Sequence, residues 1–517
     1  MEVLNHWEYW MLLGVMGLGT LLMLTASLGV LRMTNALARM HAAGLGSSLG
    51  ILLLLLATGY YFQFMGNHEK GSLLLMVALG FLLLVTNPIA TTAMSRAVMR
   101  SSPDNDRQYL AVDEYAVGNR LTVPVPSEPN TMIYVDRRGW DSSKWETYDR
   151  DVIPLWVADM DFRSPDPIIK ALQVRAAHGI FGYGATEEAV GEWFCTHLLE
   201  QYDWHVTPDQ LVFLPGLVSG LNLVVRAIGQ PGSGVMTHEP VYPPFLVAPG
   251  LQDRKLQSVP MPHDQNGGLL HFRLDMERFR AVADDSTTLF LLCNPHNPTG
   301  RSLARHELLE LAEFCLNRSI VICSDEIHCD LMHEGRRHLP IASLEPEIAD
   351  STITLMAPSK TYNMPGLGCS VAVVPNPALR TLVQQAAMGI VPHVNVMGYA
   401  AALAAYSHAD CRTWLEELLR TLTANRDYME QALLTAFPGV RTTRPEGTYL
   451  SWVDFGAVVE NPYRFFLNHA RVALSEGSRY HTTGGHTWAR INLGTSQSLL
   501  EEAVARMQAA VAQHQGS

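Results

Sequence analysis

Three stretches decide the fold: TTLFLLCNPHNPTGR (Thr287–Arg301), IVICSDEIHCDL (Ile320–Leu331) and TITLMAPSKTYNMPGLG (Thr352–Gly368). Each opens with an apolar run of strand length and then breaks into polar chain rich in turn formers. Strands are expected over Thr287–Cys293, Ile320–Ser324 and Thr352–Met356, with another over Ser370–Val374. Helical patterns separate several of them, for example His306–Asn317 and Asn376–Met388. Strands with helical crossovers imply a mostly parallel sheet, and ligands then bind at the carboxyl ends of its strands.

Those ends carry Asn297, Asp325 and Lys360. Taken singly, each has a plain reading. A lysine after a strand is usually solvated, an aspartate at a strand end often caps a helix, and an NPxG run is often a turn. Together, an amide, a carboxylate and a lysine are the trio that pyridoxal phosphate chemistry needs. The lysine holds the cofactor covalently, the carboxylate keeps the pyridine nitrogen protonated, and a donor tunes the phenolate oxygen.

The chain has 517 residues, more than one average domain. Apolar residues make up 48% and charged residues only 17%, so disordered and collagen-like classes are excluded. The net charge of −13 gives no reason to expect a nucleic-acid partner. Seven cysteines, odd in number and without a CxxC pair, read as reduced thiols rather than a disulfide framework. No spacing suggests a metal site.

The apolar residues are unevenly spread. No charge occurs from Trp10 to Leu31, from Ala42 to Gly66, or from Gly71 to Ser95, and each stretch is long enough to span a bilayer. Three in series argue against a signal peptide. Arg32, Arg39, Arg96 and Arg100 place the N-terminus outside and everything after the third span in the cytoplasm. The spans hold no Asp, Glu, Lys or Arg, so this part reads as a packing subunit rather than an ion conductor. Residues 103–131 are acidic and then proline-punctuated, and read as a linker. Met132 follows them.

Two resemblances extend this reading. GVLRMTNALARMHAAG (Gly29–Gly44) and LLLVTNPIATTAMSRA (Leu82–Ala97) resemble the small G-type component of the multisubunit sodium (or potassium)/proton antiporters, over roughly residues 8–102. That implies other antiporter subunits as partners and carries over no catalytic residue. From about Ile133 to Ala509, NPHNPTGR, SDEIHCDL and APSKTYNMPGLG, with DRRGWDSSKW and PLWVADMDF (Pro154–Phe162), resemble the MalY/PatB-type cystathionine β-lyases, or C–S lyases, of fold type I.

The second resemblance implies roles. Lys360 would be the catalytic lysine that carries pyridoxal 5'-phosphate, Asp325 the partner of its ring nitrogen, and Asn297 the amide on its phenolate oxygen. His328 stands where aspartate aminotransferases place a tyrosine donor to that oxygen. Tyr242 would stack on the ring, and the Gly216-Leu217-Val218-Ser219 turn would cradle the phosphate with backbone N–H groups. Ser359 would support that phosphate, Tyr183 would reach the phosphate of a partner subunit, and Arg490 would clamp the substrate α-carboxylate. Gly368 departs from the aminotransferase pattern, which has a phosphate-binding arginine there, and Ala357 stands where a serine is common.

The expected whole is a three-helix membrane domain (1–102), a linker (103–131) and a fold type I body (132–517). Within the body a large α/β domain is expected over about 170–406 and a small one over about 132–169 and 407–517. The implied activity is β-elimination of cystathionine or a cysteine S-conjugate to a thiol, pyruvate and ammonia. It would be carried out by a homodimer at the cytoplasmic face of the cell (inner) membrane. Transamination, an antiporter subunit with the enzyme as passenger, and an accidental fusion starting at Met132 stay open as alternatives.

Overall fold

The computed structural model of the chain describes residues 132–515. The three expected spans and the linker lie outside the described residues. Among the described residues no helix is long and apolar enough to cross a membrane.

Two sheets carry the body, and a short parallel pair, β1 (Ile153–Pro154) with β13 (Val472–Ala473), stands outside both. The larger sheet contains β2 (Leu211–Leu214), β3 (Gly234–Glu239), β4 (Lys255–Pro260), β7 (Thr287–Cys293), β8 (Val321–Asp325), β9 (Thr352–Met356) and β10 (Ser370–Val373). Their order is β2-β10-β9-β8-β7-β3-β4, and only β10 runs against its neighbours. The second sheet contains β5 (His263–Asn266), β6 (Leu269–Phe272), β11 (Arg441–Thr443), β12 (Leu450–Asp454), β14 (Ser475–Glu476) and β15 (Trp488–Asn492), in the order β14-β15-β12-β11-β6-β5.

The expected strands form with small shifts. β8 starts and ends one residue later than its apolar pattern, because Asp325 still pairs with Cys293 and Leu355 and its carbonyl accepts from Asn294 N at 3.1 Å. The expected helices run Arg305–Asn317 and Pro377–Ala387. Side chains on a strand alternate between faces, and β7 uses both. Leu289, Leu291 and Cys293 pack under the helices Leu217–Ala227 and Pro243–Leu251. Phe290 and Leu292 pack against Leu308 and Leu311 of the helix Arg305–Asn317. Each buried Leu or Phe contributes roughly 2 kcal/mol of transfer free energy, which fixes the register that aligns the strand ends.

The hairpin β5–β6 lies inside the span expected for the large domain, yet it completes the second sheet. β6 pairs in parallel with β11 through Thr442↔Leu269, and Leu270 and Phe272 pack against Trp452 and Tyr480.

Candidate active site

β7, β8 and β9 are parallel neighbours, so their carboxyl ends share one edge of the sheet. After β7 the chain turns back on itself. His296 N donates to Arg301 O at 2.7 Å, and Gly300 N to His296 O at 2.7 Å. Gly300 is left-handed (φ 72°), and a Cβ there would lie 2.5 Å from the Cβ of Pro445, so the loop needs glycine. This turn buries Asn297, whose Oδ1 accepts from Arg490 Nη1 at 3.0 Å. At the end of β8 the Asp325 carboxylate accepts from Ile327 N at 3.1 Å. Burial pushes its pKa up to about 7, against smaller lowering effects that include Lys360. After β9 the short helix Pro358–Thr361 presents Lys360, whose Nζ donates to the carbonyl of Ala158. Burial, then the Arg490 charge, lowers the Lys360 ammonium to about 8.

Arg490 stands on β15, buried, with Nη2 donating to Trp156 O at 2.8 Å and Ser475 Oγ at 3.2 Å. Its guanidinium lies 5.3 Å from the ring centre of Tyr480. Lys360 and Arg490 thus hold carbonyls two residues apart, on one extended segment. Asn492 Nδ2 donates to the carbonyls of Val157 and Asp159, both at 2.7 Å, and Tyr449 Oη to that of Ala158 at 3.0 Å.

The segment is itself pinned. Lys144 pairs with Asp161 at 2.7 Å, both side chains fully buried, and Trp145 Nε1 donates to the same carboxylate at 2.9 Å. Arg137 pairs with Asp159 at 2.8 Å. Asn363, three residues after Lys360, donates to the carbonyls of Met160 and Phe162 and accepts from Met160 N. DRRGWDSSKW therefore acts as scaffold for PLWVADMDF.

Trp156, Val218, Tyr242, Ser475, Tyr480 and Arg490 line a cavity of about 610 Å³. Tyr242 caps the helix Pro243–Leu251, and its N donates to Asn297 O at 3.0 Å. His328 is buried with its ring edge-on to Tyr449 at 5.9 Å. Burial, with Lys360 and Arg490 nearby, keeps this imidazole neutral, and its Nδ1 has no hydrogen-bond partner. Gly216 precedes the helix Leu217–Ala227, which begins with Leu217 and Val218 and has no side-chain cap. The N–H groups of its first turn have no acceptor within the helix. Ser359 is half-buried beside Lys360. Tyr183 is fully exposed, apart from the rest of the set.

Gly368 has a steric explanation. It is left-handed (φ 57°), and a Cβ would stand 2.7 Å from the carbonyl oxygen of Pro215, next to the Gly216 turn. No side chain fits there without moving the cradle. Cys323, Cys329 and Cys369 pack in the apolar clusters, as expected of small hydrophobes. His296 lies in the loop after β7. It is buried, with its ring 4.7 Å from that of His238 and Nδ1 on Thr299 Oγ1 at 2.6 Å.

These residues fit a pyridine cofactor with an anionic tail. Asp325 is a buried carboxylate with no ion-pair partner among the described residues, suited to a cationic ring nitrogen. His328 offers an unpartnered nitrogen, Lys360 a weakened ammonium, and the uncapped helix start an anion site. Sequence reasoning missed Tyr449, Ser475, Tyr480 and Asn492. It quoted Trp156 only within a motif. Backbone acceptors have no side-chain signature, so the role of 156–159 could not be read.

Residues 150–507 match the family described as aminotransferase class I and II. Residues 15–99 match a family described as a Na+/H+ antiporter subunit. Cystathionine β-lyase PatB of Bacillus subtilis is 36% identical over 389 residues, covering 73% of this chain and 98% of the relative. The crystal structure of OvoB is 40% identical (TM-score 0.69; 74% of this chain, 98% of that one). Cystalysin from Treponema denticola, which contains a pyridoxal 5'-phosphate cofactor, is 28% identical (TM-score 0.70; 75% of this chain, 100% of that one). The chain belongs to the aminotransferase class I and II family.

Proposed function

We propose that the body is a pyridoxal 5'-phosphate-dependent carbon–sulfur β-lyase that cleaves cystathionine or a related cysteine S-conjugate. The observation that carries this is the pairing of Lys360 and Arg490 on Ala158 and Trp156, with Asp325 and Asn297 at the adjoining strand ends. The 36% identity to a named cystathionine β-lyase supports lyase over transaminase.

Lys360, Asp325, Asn297, His328 and Tyr242 would hold the cofactor ring, and the 216–219 turn with Ser359 its phosphate. When bound, the cofactor supplies a sink for the electron pair left at Cα. Arg490 binds the α-carboxylate through its planar fork and so orients the substrate. Lys360 takes the Cα proton on Nζ, a role its lowered pKa suits. Asp325 holds its negative charge against the ring nitrogen. The Cβ–S bond then breaks with its electron pair leaving on sulfur, the thiolate gains a proton, and the three-carbon fragment hydrolyses to pyruvate and ammonia.

We also assign the body to a homodimer. Tyr183 stands fully exposed near exposed Ile180 and Phe181, which suits a reach into a second copy. For residues 1–102 we propose an antiporter-like membrane domain, joined through the 103–131 linker to a body of two domains on its cytoplasmic side.

The test is product analysis with L-cystathionine. Pyruvate, ammonia and thiol in equal amounts, abolished by Lys360→Ala, are expected. Amino-group exchange with a keto acid and no thiol release would make the enzyme an aminotransferase.

A further inference from the structure

The rim of the Arg490 cavity carries two charged side chains that the α-amino-acid end of a substrate does not use. Glu476 ends β14, one residue past Ser475, which faces Arg490 across the strand pair. Arg479 follows on the short turn Gly477–Tyr480. Both line the cavity, with Tyr148 and Tyr463 on the same side. Tyr148 packs edge-on to Trp156 at 6.0 Å. Among the described residues Glu476 and Arg479 make no ion pair and no side-chain hydrogen bond. Other arginines of the body's surface do otherwise: Arg471, Arg444 and Arg506 all hold carboxylates. The inner end of the cavity is different. There Arg490 is buried and fixed by three acceptors.

We propose that Arg479 and Glu476 form a second polar subsite that recognises the far end of the substrate's sulfur substituent. The chemistry that fits is an ammonium–carboxylate head, with the carboxylate on Arg479 and the ammonium on Glu476. A carboxylate and a guanidinium that line one cavity without pairing to each other complement such a zwitterion and offer nothing to a plain alkyl group. The walls between, Trp156 and Tyr480, would pack the intervening methylene groups. The enzyme would thus prefer thioethers that join two amino acids over S-alkyl cysteines.

This rests on the lyase reading, and the experiment separates the two. The full-length holoenzyme and its Arg479→Gln and Glu476→Gln variants are assayed for pyruvate from L-cystathionine and from S-ethyl-L-cysteine. Binding of each compound is also followed by the change in the cofactor's visible spectrum. The expected result is a fall of about 10-fold in kcat/KM for L-cystathionine on Arg479→Gln, mostly through KM, as for loss of a partly screened charge contact. S-ethyl-L-cysteine should stay within about twofold. Equal effects on both compounds, or none on either, would overturn the subsite. If the unaltered enzyme releases no pyruvate from either compound, the lyase reading fails. The spectral titration then still decides the subsite: selective loss of L-cystathionine binding on Arg479→Gln supports it, and unchanged binding refutes it.

Discussion

Asp325→Asn should stabilise the apoprotein in a pH-dependent way while weakening its hold on the cofactor. Burial raises the carboxyl from 3.8 to about 7 in the folded chain. A raised carboxyl pKa means that the unfolded chain releases the proton more readily. Stability from the protonated acid is therefore complete below about pH 4 and lost as pH climbs towards 7. At 1.36 kcal/mol per unit, the cost to the folded apoprotein is roughly 1.5 kcal/mol at pH 5 and roughly 4 kcal/mol at pH 8. Asparagine keeps an oxygen for Ile327 N and has no such titration. The stability difference between variant and parent should hence grow in favour of the variant by about 2–3 kcal/mol between pH 5 and pH 8. Urea unfolding of both apoproteins at four pH values, followed by tryptophan fluorescence, measures it. Other titrating groups are common to both chains and cancel. Parallel pH profiles would refute the claim that Asp325 is a desolvated carboxyl awaiting a cation. In the holoprotein the sign should reverse, because the ring nitrogen then balances the carboxylate.

Further outcomes follow from the same geometry. Cofactor loading by the apoprotein needs the neutral amine of Lys360, so its rate should rise with pH through about 8; Arg490→Gln should move that midpoint up, read by visible absorbance. Arg490→Ala should raise KM for any amino-acid substrate by about 10- to 100-fold, since a charged hydrogen-bond partner is lost. Gly368→Ala should destabilise the fold by about 1–3 kcal/mol and weaken phosphate binding, because a Cβ meets Pro215 O at 2.7 Å. A chain starting at Met132 should fold, dimerise and match the full chain in turnover; loss of folding on removing residues 1–131 would show that the enzyme needs them.

Strand ends were legible because they follow a local rule: an apolar run stops and a polar, turn-forming run starts. TTLFLLC before NPHNPTG needs no distant information, and β7 forms over those seven residues. The hairpin β5–β6 was illegible for the opposite reason. Its place is set by parallel pairing with β11, about 170 residues later, and nothing in HDQNGGLLHF announces that partner. Arg490 could be named from the run WARINLG (Trp488–Gly494). Its anchors could not, since the Trp156 carbonyl lies on a segment remote in sequence and Ser475 reaches it only through the pairing of β14 with β15.

The segment 156–159 explains why the two ends of the body must fold together for the site to exist. Lys360 belongs to the large sheet and Arg490 to the second sheet, and no strand pairing joins those sheets. Their side chains nevertheless meet on nearby carbonyls of one strip, which Lys144–Asp161 and Asn363 fix from either side. Lys144 is fully buried, and removing it would leave the buried Asp161 carboxylate with Trp145 Nε1 at 2.9 Å and the more distant Arg137 guanidinium at 3.6 Å, a loss of about 1–3 kcal/mol. Such a loss would act first on the alignment of Lys360 with Arg490. Lys144→Met should therefore reduce turnover in the residual folded fraction, and not only the amount of folded protein. A variant that keeps full specific activity per folded molecule would mean that the strip is held without Lys144, by Asn363, Asn492, Tyr449 and Arg137.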